Sequence, residues 1–247
     1  MTIDWTPLRQ ELQACRRNDM ALPFWWRDDD AIAPTTALDR LADLSRATGV
    51  AVHLAIVPAH ATPDLAEYTA ARQMIPLVHG WAHRDHSTPD QKKNEFLTDR
   101  TGLAEDSARG LARMQQLFGA SLRSAFVPPW NRVKEAHLPV LARQGYTVLS
   151  TFGARQTSEA ASGLTQINTH IDPIWWKGTR DLVQPDILVQ STAALLRARR
   201  QGAEDATEPL GLLTHHLVHT PAIWDFTSAY IQEMLSGGAT PWTMETT

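Results

Sequence analysis

Phe24-Trp25-Trp26-Arg27-Asp28-Asp29-Asp30 runs from large aromatic side chains straight into consecutive acids. An apolar run that stops in carboxylates reads as a buried strand whose end opens onto a polar site. Two later stretches have the same form. Ile75-Pro76-Leu77-Val78 leads into His79-Gly80-Trp81-Ala82-His83, and Leu210-Gly211-Leu212-Leu213-Thr214 leads into His215-His216. These stretches are far apart in the chain, so only a fold that gathers strand ends brings them together. They then supply adjacent carboxylates, a histidine pair and a separate imidazole. Ligands, a general base and a general acid are what metal-assisted hydrolysis requires.

Working outward, further apolar runs at 51–57, 122–127, 146–149 and 164–167 complete a set of short strands. Several lack polar alternation, which suits burial on both faces. Helices alternate with them. Thr6-Pro7, Thr62-Pro63 and Thr220-Pro221 each place a capping hydroxyl before a proline suited to the first turn. Leu38, Leu41 and Leu44 recur at helical spacing and Gly49 stops that helix; Leu103, Leu111, Met114 and Phe118 mark another, ending at Gly119. Residues 187–200 and 222–235 read as helical, and 135–144 as a helix interrupted by Pro139. Stretches 84–100, 154–163 and 201–208 read as loops, and the tail after Gly237 as loosely ordered. Alternating strands and helices predict a mostly parallel sheet with outer helices, open or closed into a barrel, with its site at the carboxyl ends of the strands.

Composition narrows the function. A net charge of -4 gives no basic footprint for nucleic acid. The lone Cys15 excludes an internal disulfide and a thiolate zinc cluster. Residues 1–15 lack the apolar core of a signal peptide, and no run approaches the ~18 apolar residues of a membrane span. The sequence is therefore read as one cytoplasmic domain over 1–247 with its core at about 20–236. Gly-x-Ser-x-Gly, P-loop and His-Glu-x-x-His patterns are absent from the sequence.

Consecutive acids repel one another, and a bound cation offsets that repulsion. One aspartate would then be a ligand and its neighbour a base. His79 and His83, four residues apart, share one side of a helical turn and suit a single metal. Strand alternation sends His215 and His216 to opposite faces. The nine tryptophans outnumber the three tyrosines. Trp25, Trp26, Trp81, Trp130, Trp175 and Trp176 lie beside the candidate ligands in sequence, as core or as aromatic walls for a sugar ring.

Five blocks in order make the chain similar to the polysaccharide deacetylases (NodB homology, carbohydrate esterase family 4), over roughly residues 23–219. Arg27-Asp28-Asp29-Asp30 resembles Phe-Asp-Asp-Gly, which implies Asp28 as catalytic base and Asp29 as metal ligand. His79-Gly80-Trp81-Ala82-His83 resembles His-Ser/Thr-x-x-His, implying His79 and His83 as the other ligands. Phe126-Val127-Pro128-Pro129-Trp130-Asn131 resembles Phe-Arg-x-Pro-Tyr-Gly and implies a substrate wall at Pro129 and Trp130. Asp172-Pro173-Ile174-Trp175 is similar to the block of the opposite wall, with Trp81 as a further substrate contact. Leu212-Leu213-Thr214-His215 resembles the last block, implying His215 as general acid, with His216 in support.

The departures carry information. Asp30 stands where the block has Gly, which leaves a second register open, Asp29 as base and Asp30 as ligand. Val127 replaces an arginine that pairs with the catalytic aspartate, a charge for Arg27 or Arg132 to supply. Gly80 replaces a supporting hydroxyl. The resemblance implies an incomplete or deformed (β/α)7 barrel and a metal-dependent carbohydrate deacetylase. It would use Zn²⁺, with Co²⁺, Ni²⁺ or Mn²⁺ as alternatives. A small-molecule or oligosaccharide substrate follows. A hydrolase of non-sugar amides and a non-catalytic sugar-binding module are the alternatives.

Overall fold

A computed structural model describes residues 3–245. Its elements are α1 (Thr6–Arg17), β1 (Pro23–Ala31), α2 (Thr36–Thr48), β2 (Val52–Ile56), α3 (Asp64–Ala71), β3 (Ile75–His79), α4 (Leu103–Phe118), β4 (Ala125–Val127), α5 (Leu138–Gln144), β5 (Val148–Leu149), β6 (Glu159–Ala161), β7 (Leu164–Gln166), α6 (Pro185–Arg200), β8 (Leu210–Thr214), α7 (Pro221–Ser236) and β9 (Thr240–Pro241). The strands form one sheet ordered β6-β7-β5-β4-β3-β2-β1-β8, with β9 on β1. Every pairing is parallel except the β6–β7 hairpin.

The expected barrel is present but not closed. Among the described residues a single parallel bridge, Ile171–Leu212, spans the gap between the chain after β7 and β8, while Phe152–Thr169 extends the β5–β7 pairing. Gly211 permits the close approach there: a Cβ on it would lie 2.5 Å from Trp25 Nε1 and 2.8 Å from Asn168 O. The gap segment is tied down by buried Glu208, which accepts from the N–H groups of Asn168 and Arg155 and meets His170 Nε2 at 3.1 Å.

Both faces of the sheet are buried, and they differ. Phe24, Trp26, Val52, Leu54, Ile56, Val78, Phe126, Leu210 and Leu212 join the main core, which includes buried side chains of the outer helices. Trp25, Ala55, Leu77, Ala125, Val127 and Ile167 form a second, inner cluster. Strand alternation therefore places odd positions of β1 and β3 inside the barrel and even positions of β1 and β8 under the helices. The inner column becomes polar toward the carboxyl ends, where it continues into Arg27, Asp29 and His79.

Helix boundaries follow local chemistry. Thr35 Oγ1 accepts from Leu38 N to start α2, and Thr220 Oγ1 accepts from Ile223 N to start α7. Thr6 and Thr62 do not cap as anticipated. Thr6 is itself the first residue of α1, with its N–H on Asp4 Oδ1, while Thr62 Oγ1 bonds Ile32 O. Pro139 falls in the first turn of α5, so that helix begins at Leu138, later than the sequence reading had it.

Two segments correct the sequence reading. The stretch 154–163, taken as loop, contains β6 and one side of the hairpin. The tail after Gly237 is an ordered strap. Thr240 N and Trp242 N bond Leu22 O and Phe24 O, Met244 N donates to His53 Nε2, and Met244 is buried in the inner cluster. Among the described residues no helix is long and apolar enough to cross a membrane.

Candidate metal and catalytic site

The two ends of the β1 acid run diverge at an irregularity. The β1–β2 register shifts between Asp28 and Ala31, and Asp30 adopts φ 76°. Alternation sends Asp28 under the helices and Asp29 inward. The left-handed turn at Asp30 then brings its carboxylate back to the inner side, next to the end of β3. Asp30 Oδ1 lies 3.1 Å from His79 Nε2 and 3.2 Å from His83 Nε2. One donor atom from each of Asp30, His79 and His83 falls within 4.8 Å of the others.

This donor set suits a divalent cation. A carboxylate oxygen and two imidazole nitrogens are a common zinc set with room for further ligands. His79 Nδ1 lies 3.0 Å from Val127 O, a bond that leaves Nε2 as the free donor atom, as metal-binding imidazoles require. Burial raises the Asp30 carboxyl, but the His79 hydrogen bond and the neighbouring imidazoles outweigh it and hold it well below the usual carboxylate range. Burial pushes His79 down, and the Asp30 hydrogen bond with the charges of Asp29 and Asp30 more than compensates, whereas His83 is lowered by burial and by His79.

The turn that carries the histidines is built without a hydroxyl. Gly80 has φ 57°, and a Cβ there would meet Glu95 Oε2 at 2.4 Å and Pro129 Cδ at 2.5 Å. Buried Glu95 accepts from the N–H groups of Trp81 at 3.1 Å and Ala82 at 2.8 Å, and fills the place beside the glycine. Positive φ recurs here: Asp30, His83, Trp130 and Asn131 are four of the seven such non-glycine residues described. Backbone strain of this kind persists where surrounding contacts over-determine it, as at ligand sites.

Asp29 does not join the histidine pair. Its carboxylate is held in a fork by Arg27, Nε to Oδ1 at 2.8 Å and Nη2 to Oδ2 at 3.0 Å. Arg27 is fully buried and also donates to Ser150 Oγ, Ser150 O, Thr151 O and Asn131 Oδ1. A guanidinium from β1 thus pairs with an aspartate of the run, the charge that the sequence reading left to Arg27 or Arg132. Arg132 instead donates to Lys93 O in the 84–100 loop.

Asp28, anticipated as the base, faces the opposite layer. It is fully buried, and both its oxygens are occupied by Thr214 and His216. Burial raises its carboxyl, and the charge and hydrogen bond of His216 reverse that, leaving it lowered. His216 therefore supports Asp28 rather than the cleft.

His215 points the other way, with Nε2 4.0 Å from Asp29 Oδ2. The Trp176 ring stands edge-on to it at 4.7 Å, and Trp176 Nε1 donates to Asp172 Oδ2 at 2.7 Å. Burial raises the Asp172 carboxyl, partly offset by His215. Trp130 lies against His83 with ring centroids 4.2 Å apart. Trp81 turns away, packing on the main core with Arg109 over its ring at 4.2 Å. Trp175 is 52% exposed, and its ring covers Gly178 rather than His215. Glu95 and Ser150 are contributors that the sequence reading did not name, while Trp176 was there only one of several candidate aromatic walls and Asn131 only part of a block. The 84–100 loop offered no periodic signal for Glu95.

No family profile and no curated protein matches the chain. Solved structures do match in fold. A family 4 carbohydrate esterase from Streptomyces lividans in complex with acetate shares 13% identity, covering 92% of this chain and 94% of that one, with a TM-score of 0.55. A family 4 acetyl xylan esterase from Clostridium thermocellum in complex with a cobalt ion shares 15% identity over 89% of this chain and 87% of that one, at 0.53. A CE4 family pseudoenzyme from Bacillus anthracis shares 13% identity, covering 90% of this chain and 63% of that one, at 0.56. The chain has the fold of the family 4 carbohydrate esterases, with its candidate site at the same carboxyl ends that the sequence pattern singled out.

Proposed function

We propose that this protein is a metal-dependent hydrolase that removes an acetyl group from a carbohydrate. Asp30, His79 and His83 would hold the cation, Asp29 would act as base and His215 as general acid. The observation that carries the reading is the convergence of Asp30, His79 and His83 within 4.8 Å, beside an arginine-clamped Asp29 that faces His215 at 4.0 Å. When bound, a divalent cation supplies Lewis-acid polarisation of a carbonyl and acidifies water. Zn²⁺ suits the donor set best, with Co²⁺, Ni²⁺ and Mn²⁺ as alternatives.

The chain's own residues do the rest. Arg27 holds Asp29 in one orientation, leaving it to take a proton from the attacking water. His215, across from it, gives a proton to the leaving amine or alcohol. Trp176 and Trp130 flank His215 and His83 and offer ring faces to a sugar. The non-catalytic alternative drew on the arginine missing at Val127, and Arg27 removes that support.

The test is metal content and acetate release for wild type, Asp30→Ala and Asp29→Asn, with N-acetylchitotetraose as probe. One cation per chain should be lost in Asp30→Ala and kept in Asp29→Asn. Asp29→Asn should then lose roughly 10²–10⁴-fold in turnover. A cation that leaves with Asp29→Asn and stays with Asp30→Ala would overturn the assignment.

A further inference from the structure

Behind the site, the outer face of the sheet holds a buried polar network that the proposed chemistry does not use. Asp28 sits opposite Thr214 in the β1–β8 register. Its Oδ2 accepts from Thr214 Oγ1 at 2.6 Å and from His216 N at 3.0 Å, and its Oδ1 meets His216 Nδ1 at 2.5 Å. Trp26 Nε1 completes the chain, donating to Thr214 Oγ1 at 2.8 Å. The Asp28 and His216 side chains are 0% exposed. Burying such a pair is costly, and apolar residues of similar volume would pack as well. Stability alone is therefore a weak reason for its presence.

What these bonds share is the exit of β8. They grip Thr214 and His216, and the residue between them is His215. Alternation turns the two gripped side chains under the helices and His215 into the cleft. The His215 ring meets Trp176 edge-on, but neither nitrogen is held by a hydrogen bond: Nδ1 is buried without a partner and Nε2 is 4.0 Å from Asp29 Oδ2. The direction of the imidazole therefore depends on where the backbone on either side puts it, with Trp176 against the ring and His219 Nε2 accepting from His215 N.

We infer that Asp28 is a positioning residue for His215, holding the end of β8 through Thr214 and His216 so that the imidazole faces Asp29. The inference rests on the reading of His215 as proton donor. Misplacement by about 1 Å is enough to cost on the order of 10²-fold in rate.

The test uses zinc-loaded wild type, Asp28→Asn, Asp28→Leu and Thr214→Val. Imidazole ¹H–¹⁵N spectra read the rings directly, and turnover is read on two probes. N-acetylchitotetraose has a poor leaving group that needs an acid, while 4-nitrophenyl acetate has one that does not. In Asp28→Leu the His215 resonances should shift and broaden. Turnover of the acetamide should fall about 10- to 100-fold with KM within twofold, and that of the aryl ester should fall far less. Asp28→Asn, which keeps an acceptor oxygen, should recover part of the loss. If Asp28→Leu does not fold, Thr214→Val decides, with a smaller change in the same sense. Unchanged His215 resonances in a folded, zinc-bound variant would overturn the inference, as would equal losses on both probes. Should wild type hydrolyse neither probe, the deacetylase reading fails while the His215 resonances still decide the positioning.

Discussion

Arg27→Met strips Asp29 of its guanidinium partner, and its cost can be worked from the site. The pair is buried, with side-chain exposures of 0% for Arg27 and 3% for Asp29. Removing one member of such a pair leaves an uncompensated buried charge, at about 3–5 kcal/mol. The carbonyls of Ser150 and Thr151 and the Asn131 side chain also lose a donor. For a chain of this size, roughly 2–4 °C of Tm accompanies each kcal/mol, so Arg27→Met should melt roughly 6–20 °C below wild type. Calorimetry at neutral pH measures this. The double variant Arg27→Met/Asp29→Asn separates charge from packing. Because its carboxylate is gone, it should be more stable than Arg27→Met alone, with a coupling of roughly 1–3 kcal/mol. A Tm loss under about 3 °C, or strict additivity in the double variant, would refute the view that Arg27 is there to hold a buried carboxylate.

Other expectations follow from neighbouring parts of the molecule. Gly80→Ala places a Cβ where Glu95 and Pro129 already are, in a left-handed conformation that costs about 1–2 kcal/mol; zinc affinity by calorimetric titration should fall at least about tenfold, and an unchanged affinity would show the turn to be compliant. His53 is held neutral by burial, which lowers it from 6.5 to about 3, despite its bond to Trp26 O. The unfolded chain therefore takes up a proton in that window that the folded chain does not. Stability should be full above about pH 6.5 and decline by up to about 1.4 kcal/mol per unit as pH falls toward 3. His53→Gln should flatten that part of the Tm–pH curve, and an unaltered slope would assign it to other groups. Trp242→Ala, which loosens the strap against Trp25 and His53, should cost about 2 kcal/mol by urea denaturation because the ring is only partly buried; zinc binding should be unaffected.

The order of strands and helices was legible because each apolar run is short and bounded. The gathering of β1, β3 and β8 ends followed from that order. Which acid of the run faces which layer was not legible. Parity is readable when one face of a strand is wet, but Phe24, Trp25 and Trp26 are buried alike on both faces of β1. The bulge after Asp28 shifts the phase again, and nothing in three identical residues marks it. His79 and His83 do meet, but not on the helical turn their spacing suggested: His79 ends β3, and positive φ at Gly80 and His83 brings the second ring back to the first. Their support from Glu95 comes from a loop without periodicity, so only the folded chain reveals it. The strap was missed for a similar reason: the pairing of β9 with β1 is two residues long, and its anchoring through Met244 N on His53 is a tertiary contact.

The irregularity in β1 has a genetic consequence. Three chemically identical neighbours occupy three unlike surroundings: one hydroxyl, one imidazole and a backbone N–H for Asp28, a guanidinium for Asp29, and a pair of imidazoles for Asp30. The run is therefore not a redundant patch of charge in which one acid can stand in for another. In a saturation library the three columns should part company, each intolerant of substitution for its own reason. A one-residue deletion within the run would shift every later acid into a neighbour's surroundings, and should do more harm than any single replacement.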